Sequence, residues 1–500
     1  MSDQREDSGT EGVAQDGAAL RRDAEALRRD AEAVRRYAAS LPDLEWQAPA
    51  EIRRRGTRRR RLRRVAAGSV VSVSVTVCIT LSLTLSGSSP KAPPNGQAIG
   101  TTTFPSHGVT AVASKATYVP SSGAPAPAAA LAEQKFALDL TKHLLATAGD
   151  SNVVVSPASL DEALNTLELG ATGATKAGIA ATLGEGLPPG GGANIGWKSL
   201  EQQLQATTSG PLQLSSHVFV AKGSHISASY LANLKRDFGA GVEEVDFRAG
   251  RAAPDINAWL HAQPSPQVAF TPADTSPSTK LLVTAESSFS AKWGPGVLFS
   301  VPSLSPAEET FHVTPASAVA AVMMQLDTSS VPFVSTSEQQ AVVLPYSGGR
   351  YEAVVLQAGA GSAASLLSAL TPAGLSAILA SAHTGALEVF LPAFSVSASA
   401  DLRPALEALG MGTAFSSGAN FTDLTGVPGA RLQDVLQAGS LNVGKAGTNV
   451  TQLSSSGLTT SHGQPTTISF DHPFLFLVRD IATGAIVSDA VINNPNQAGS

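Results

Sequence analysis

Gly444–Pro465 reads GKAGTNVTQLSSSGLTTSHGQP, and it lies between two apolar, strand-like runs near the C-terminus. Leu432–Val443 precedes it; Thr467–Arg479, ending HPFLFLVR, follows. The stretch is rich in Ser, Thr and Gly and carries neither a turn signature nor a helical period. A connection of this length inside a compact domain is either functional or a solvated surface link. Its flanks make it a bridge between two strands, and the rest of the chain decides what the bridge is for.

Five hundred residues with a 43% hydrophobic fraction suffice for a sizeable core and more than one folded unit. A single cysteine, Cys78, excludes an intrachain disulfide framework. It falls in an apolar run and reads as a buried, inert thiol. The net charge of -6 is unevenly spread: residues 1–64 hold 16 Arg against 12 acidic residues, whereas 18 basic and 28 acidic residues follow. A body that acidic is a poor match for a phosphate backbone, so nucleic acid is not an expected partner.

Residues 1–18 are small and polar without periodicity, the composition of a disordered segment. From Arg21 to Ser40 runs RRDAEALRRDAEAVRRYAAS, with Leu20, Leu27, Val34 and Leu41 recurring every seven residues. Glu25–Arg29 and Glu32–Arg36 stand in the favourable acid-first order, four apart. The segment reads as a charged helix with a thin apolar seam, either solitary or in weak self-association through residues 20–41. Arg53–Arg64 then packs nine arginines directly before Val65–Ser86, 22 residues without a charge. That length crosses a bilayer, and the basic cluster predicts a cytoplasmic N-terminus, residues 1–64, with residues 65–86 as a single transmembrane helix. Residues 87–130, rich in Pro, Ser, Gly and Ala, read as an extracytoplasmic linker, and a folded domain is expected over 131–497.

Within that domain, Leu131–Ala146 has helical spacing, and Asn152–Val155 is a short apolar run ahead of a second helix that Ser156 or Ser159 caps and Gly170 ends. Ile226–Phe238, Ala364–Leu379 and Leu402–Leu409 read as helices. Val218–Val220, Val242–Phe247, Lys280–Thr284, Ala341–Leu344, Glu352–Leu356 and Glu388–Leu391 read as strands. Helices cluster early and strands late, which makes the class α+β.

From Leu131 to Pro495 these residues resemble the serpin family. Asn152-Val-Val-Val-Ser156-Pro157-Ala-Ser159, Leu169-Gly170-Ala171 and Phe238-Gly239-Ala240 stand in family order. So do Val245-Asp246-Phe247, Ile256-Asn257-Ala-Trp259, Phe289-Ser-Ala-Lys292-Trp293, Val322-Met323-Met324 and Leu391-Pro392-Ala-Phe394. Phe470-Asp-His-Pro-Phe-Leu-Phe476 and Asn494-Pro495 close the domain. One tripeptide is weak; so many in order are specific. The resemblance implies a serpin-like α+β fold, with three β-sheets, about nine helices and an exposed reactive loop. It also implies suicide-substrate inhibition, in which the cleaved loop enters the central sheet as a new strand and distorts the protease. It implies no catalytic residue, no metal and no cofactor.

Carried onto this chain, the family's hinge falls on Gly447-Thr448, followed by Asn449, Val450, Thr451 and Gln452 in place of a run of small residues; Lys445 replaces a Glu. Counting forward puts the reactive bond at Ser461–His462, with Thr460–Ser461 as the neighbouring alternative. Alternate residues of an inserted strand face the core. Gln452 would then bury an amide, at roughly 1–3 kcal/mol if unpaired. The family's sheet-opening region falls on Ser156, Ser159 and Trp293, but Ala285 stands where an Asn is expected and Gln437 where a His is expected. Ser488-Asp489-Ala490 replaces a Phe-Met-Gly.

Two functions follow. The first is a membrane-anchored inhibitor of a serine protease, the anchor being residues 65–86. The second is a non-inhibitory serpin acting as a binding or structural module, motivated by Lys445, Gln452, Ala285 and Gln437. An enzyme is not expected: there is no Gly-x-Ser-x-Gly elbow and no His-Glu-x-x-His motif.

Overall fold

The alternation in HPFLFLVR shows how the body is layered. In a strand, successive side chains leave on opposite faces. Phe474, Phe476 and Val478 enter one core cluster while Leu475 and Leu477 enter another. A strand apolar on both faces must be covered on both faces, and here it is the centre of a sheet. We describe a computed structural model over residues 108–119, 127–184, 193–204, 210–261, 275–301, 308–359, 362–426, 429–433, 435–449 and 464–497. The heptad helix, the arginine cluster, the 65–86 span, Val450, Thr451, Gln452 and the reactive pair Ser461 and His462 lie outside the described residues.

The described residues form three sheets. The largest runs β1 (Val109–Val112), β4 (Val242–Val245), β3 (Leu212–Ala221), β5 (Leu281–Phe289), β14 (Val435–Gly444), β15 (Gly447–Thr448) and β6 (Ala291–Lys292), with β13 (Phe394–Asp401) also paired to β14. The second runs β2 (Val153–Val155), β18 (Ile486–Ile492), β17 (Phe474–Asp480), β11 (Tyr351–Ala358), β10 (Gln339–Pro345) and β9 (Phe333–Ser335). The third is β16 (Thr466–Ser469), β12 (Leu387–Pro392), β8 (Ser317–Thr328) and β7 (Glu308–Thr314).

Helix α1 (Pro127–Ala148) wedges between two cores: Phe136 and Leu140 face one, Ala137 and Leu138 the other. Helix α2 (Pro157–Leu169) is buried along nearly its whole length, polar residues included. Pro157 opens it, where its missing N–H costs nothing. Ser156 is the residue before the first turn, but its hydroxyl does not cap the helix as the sequence suggests; it donates to Val487 O at 2.8 Å.

Two sequence expectations need correction. Ala364–Leu379 is two helices, Ala363–Ala369 and Pro372–Ser381, meeting at 105°. Pro372 cannot continue the first helix, and Thr371 caps the second through the Gly374 N–H at 3.0 Å. The spacer expected over 87–130 contains β1, which pairs antiparallel with β4 from Val109↔Val245 to Val112↔Val242. Val109 joins Phe247, Ile256 and Leu260 in a core cluster, and the Val119 N–H donates to Arg236 O at 2.9 Å. A four-residue run in a low-complexity segment carries too little pattern to read. What orders it is the edge of β4, whose backbone groups need partners.

Candidate functional site

The site lies where the largest sheet divides. β5 and β14 pair directly, in parallel, from Val435↔Val283 to Ala438↔Glu286. Farther along, the two-residue strand β15 stands between β14 and β6, antiparallel to both. The hinge named from the sequence, Gly447-Thr448, is therefore already a strand of this sheet, and Thr448 is 0% exposed.

Its seat is aromatic. Tyr346 Oη and Thr448 Oγ1 lie 2.6 Å apart in a buried hydrogen bond. Burial pushes the Tyr346 hydroxyl well above its ordinary pKa, so it stays neutral. Trp293 stacks on Tyr346 at 4.8 Å and 10°, and its indole N–H donates to Gly444 O at 2.9 Å. The Trp293 backbone N–H donates to Ala446 O at 3.2 Å. Trp293 thus packs in the core and also holds the turn that feeds the hinge.

Gly447 has φ +148°, and a Cβ there would lie 2.1 Å from Ala291 O. Only glycine lets β15 approach β6 so closely. Asn449 leaves the sheet at φ +53°, with its carboxamide turned back toward β5 and β14. Val450, Thr451 and Gln452 continue outside the described residues.

Below the hinge lies the second group. The Gln437 side chain accepts from the Ser156 N–H at 3.1 Å and donates to Ser156 O at 2.7 Å and Ser159 Oγ at 2.9 Å. Ser159 Oγ also donates to Ser156 O at 3.1 Å. Gln437 is buried and sits opposite Ala285 in the parallel ladder. From the sequence, Gln437 and Ala285 are departures from the His and Asn the family resemblance implies at these places. In the structure the Gln437 amide ties β14 to the start of α2, beside the small Ala285. Gln437→Ala leaves Ser156 and Ser159 groups buried without that partner, so the unfolding midpoint in urea should fall by an equivalent of about 2 kcal/mol. A change within about 0.5 kcal/mol, the range of inert surface changes, would show that the latch carries no stability.

The structure sets Trp293 against the turn before Gly447-Thr448 and Ser156 beside Ser159, as named from the sequence, and adds one partner the sequence did not mark, Tyr346. Tyr346 is 102 residues from Thr448 and follows an ordinary strand. Nothing local marks it. Asn449 was placed in the hinge, and its partners are Asn442 of β14, Phe289 of β5 and Ser290 just beyond β5.

At the point where the largest sheet divides, the two-residue strand Gly447-Thr448 is seated between β14 and β6. The family model for serpins (serine protease inhibitor) matches residues 131–495, and the chain belongs to this family. An uncharacterized serpin-like protein of Thermococcus kodakarensis is 28% identical over 369 residues, 72% of this chain and 84% of that one. A serine protease inhibitor of Cyanea capillata is 26% identical over 376 residues, 73% of this chain and 98% of that one. A crystal structure of human thyroxine-binding globulin in complex with its ligand superposes with a TM-score of 0.65 at 23% identity, covering 74% of this chain and 99% of that one. Serpins are inhibitors or binding proteins, and the chain is not an enzyme.

Proposed function

We propose that the chain is an inhibitor of a serine-type endopeptidase, acting as a suicide substrate. A protease is offered the loop after Asn449, cuts it at Ser461–His462, and is displaced as the loop enters the sheet between β5 and β14. The observation that carries this reading is the buried strand Gly447-Thr448, which already occupies the entry point. Insertion extends an existing strand and needs no new one to nucleate. Residues 65–86 anchor the chain in a membrane, with residues 1–64 cytoplasmic and the serpin body outside. This rests on the charge-free span and the arginines before it. Residues 20–41 then add weak self-association on the cytoplasmic side.

The test is to incubate the full-length chain, in detergent micelles, with a panel of serine proteases that includes elastase and subtilisin. The expected result is an SDS-stable complex with at least one protease, and a cleaved chain of raised Tm. Cleaved chain alone across the panel, without complex, would sink the reading.

A second reading, a non-inhibitory binding module, is favoured by one observation. An open groove of about 360 Å³ lies between the helices Ala363–Ala369 and Pro372–Ser381, lined by Leu366, Leu370, Ala377 and Ile378 beside Gln339. Its size suits a small apolar ligand. On that reading, cleavage raises the Tm little.

A further inference from the structure

Among the described residues, Asn449 is the one non-glycine with a positive φ. Asn adopts that conformation at lower cost than other non-glycine residues. Here it ends β15 after two residues and turns the chain out of the sheet.

Its hydrogen bonds show what the turn accomplishes. Val443↔Thr448 is the last backbone rung of β14 with β15, so the next would pair Asn442 with Asn449. Half of that rung exists: the Asn449 N–H donates to Asn442 O at 2.6 Å. The other half is made by a side chain. The Asn442 N–H donates at 3.0 Å to Asn449 Oδ1, the position a main-chain carbonyl takes in a continuing strand. On the other flank Asn449 Nδ2 donates to Phe289 O at 2.7 Å, at the end of β5. The displaced Asn449 carbonyl accepts from Ser290 Oγ at 3.1 Å. One carboxamide thus spans from β14 to β5 and occupies backbone groups that an incoming strand would use.

We propose that Asn449 is the stop that arrests the loop at two inserted residues, and that it sets how fast insertion proceeds once the loop is cut. The proposal rests on the reading of the loop as one that inserts. For insertion to advance, Asn449 must rotate to an extended φ and withdraw its amide from both Asn442 and Phe289. Two hydrogen bonds are lost before the next rungs form, which places their cost on the barrier. Asn449→Ala removes both bonds and disfavours the positive φ. Asn449→Gly removes the bonds but keeps the turn open to the backbone, so it separates the side chain's part from the backbone's.

The full-length chain and both variants are compared in two measurements. Hydrogen exchange in the intact chain reads the clasp directly: the Asn442 amide should exchange about tenfold faster in Asn449→Ala, and nearly as fast in Asn449→Gly. After cleavage with subtilisin, the gain in thermal stability should develop about tenfold faster in Asn449→Ala than in the parent, with Asn449→Gly between them. Unchanged Asn442 exchange in both variants would overturn the stop. So would unchanged insertion rates in chains that do insert. If cleavage raises the stability of none of the three, the inhibitory reading fails, and the exchange comparison alone still decides whether the clasp exists.

Discussion

Gly447→Val should expel the hinge from the central sheet and abolish the gain in thermal stability that follows loop cleavage. The side chain would begin 2.1 Å from Ala291 O and 2.7 Å from Lys292 Cα, both of them backbone atoms of a neighbouring strand. It would also have to adopt φ +148°, where a β-branched residue is a genuine outlier. Seating the hinge is favoured by the Tyr346–Thr448 bond and a few backbone rungs, each worth about 1 kcal/mol net. A buried overlap with backbone costs roughly 1–3 kcal/mol and the forced dihedral about 1–3 kcal/mol more, so the seat is lost before β6 moves. The Trp293 fluorescence of the intact chain should shift, and no SDS-stable complex should form with any protease. A cleaved variant that gained stability like the parent would show that β15 is not the entry point.

The second large effect concerns acids buried far from the loop. Asp489 lies in the middle of β18, 0% exposed, opposite Val155 and Leu477. Burial pushes its pKa up to about 7, against the lowering effect of the Thr141 hydroxyl. Nearby Glu133 is raised well above the usual range, first by burial and then by Asp489's charge, against the Ile486 N–H that donates to it. The hydrogen bonds agree with a protonated Asp489. Thr141 has one hydroxyl hydrogen but two acceptors in reach, Ala137 O at 3.0 Å and Asp489 Oδ2 at 2.7 Å. A proton on Asp489 satisfies both contacts.

The sign follows from the raised pKa. Well below the ordinary Asp value of 3.8, folded and unfolded chains both hold the proton and this contribution is fully present. As pH rises the unfolded chain ionises first, and the contribution is lost progressively up to about pH 7. A rise from 3.8 to about 7 corresponds to roughly 4 kcal/mol. Asp489→Asn keeps the shape and a donor for Thr141 but has no proton to lose. Above pH 7 it should be more stable than the parent by a few kcal/mol, approaching that figure, and its urea midpoint should be flatter between pH 5 and 8. A variant no more stable than the parent at pH 8, with the same pH slope, would contradict a neutral Asp489.

Much of the fold was legible because its strands are apolar on both faces and its turns carry their own chemistry. Phe474–Asp480 was readable since neither face meets water, and the order of short motifs placed the whole body at once. Local pattern failed wherever a distant element supplies the reason. Val109–Val112 is a strand because β4 presents an edge, and Pro372 breaks a helix whose apolar composition continues on both sides. At the site, the resemblance to the family's Gly-Thr hinge was enough to find Gly447-Thr448. Comparing residue types alone did not show that the Gln437 amide reaches Ser156 and Ser159.

β1 also determines where the body takes mechanical load. A pull at Gly108 meets the β1–β4 ladder before it reaches α1, and β4 belongs, through β3 and β5, to the same sheet as the hinge strand β15. Tension applied at Gly108 and any widening of the sheet would therefore act on one continuous set of backbone bonds. A chain held under force at its N-terminal side would feel that force in its central sheet.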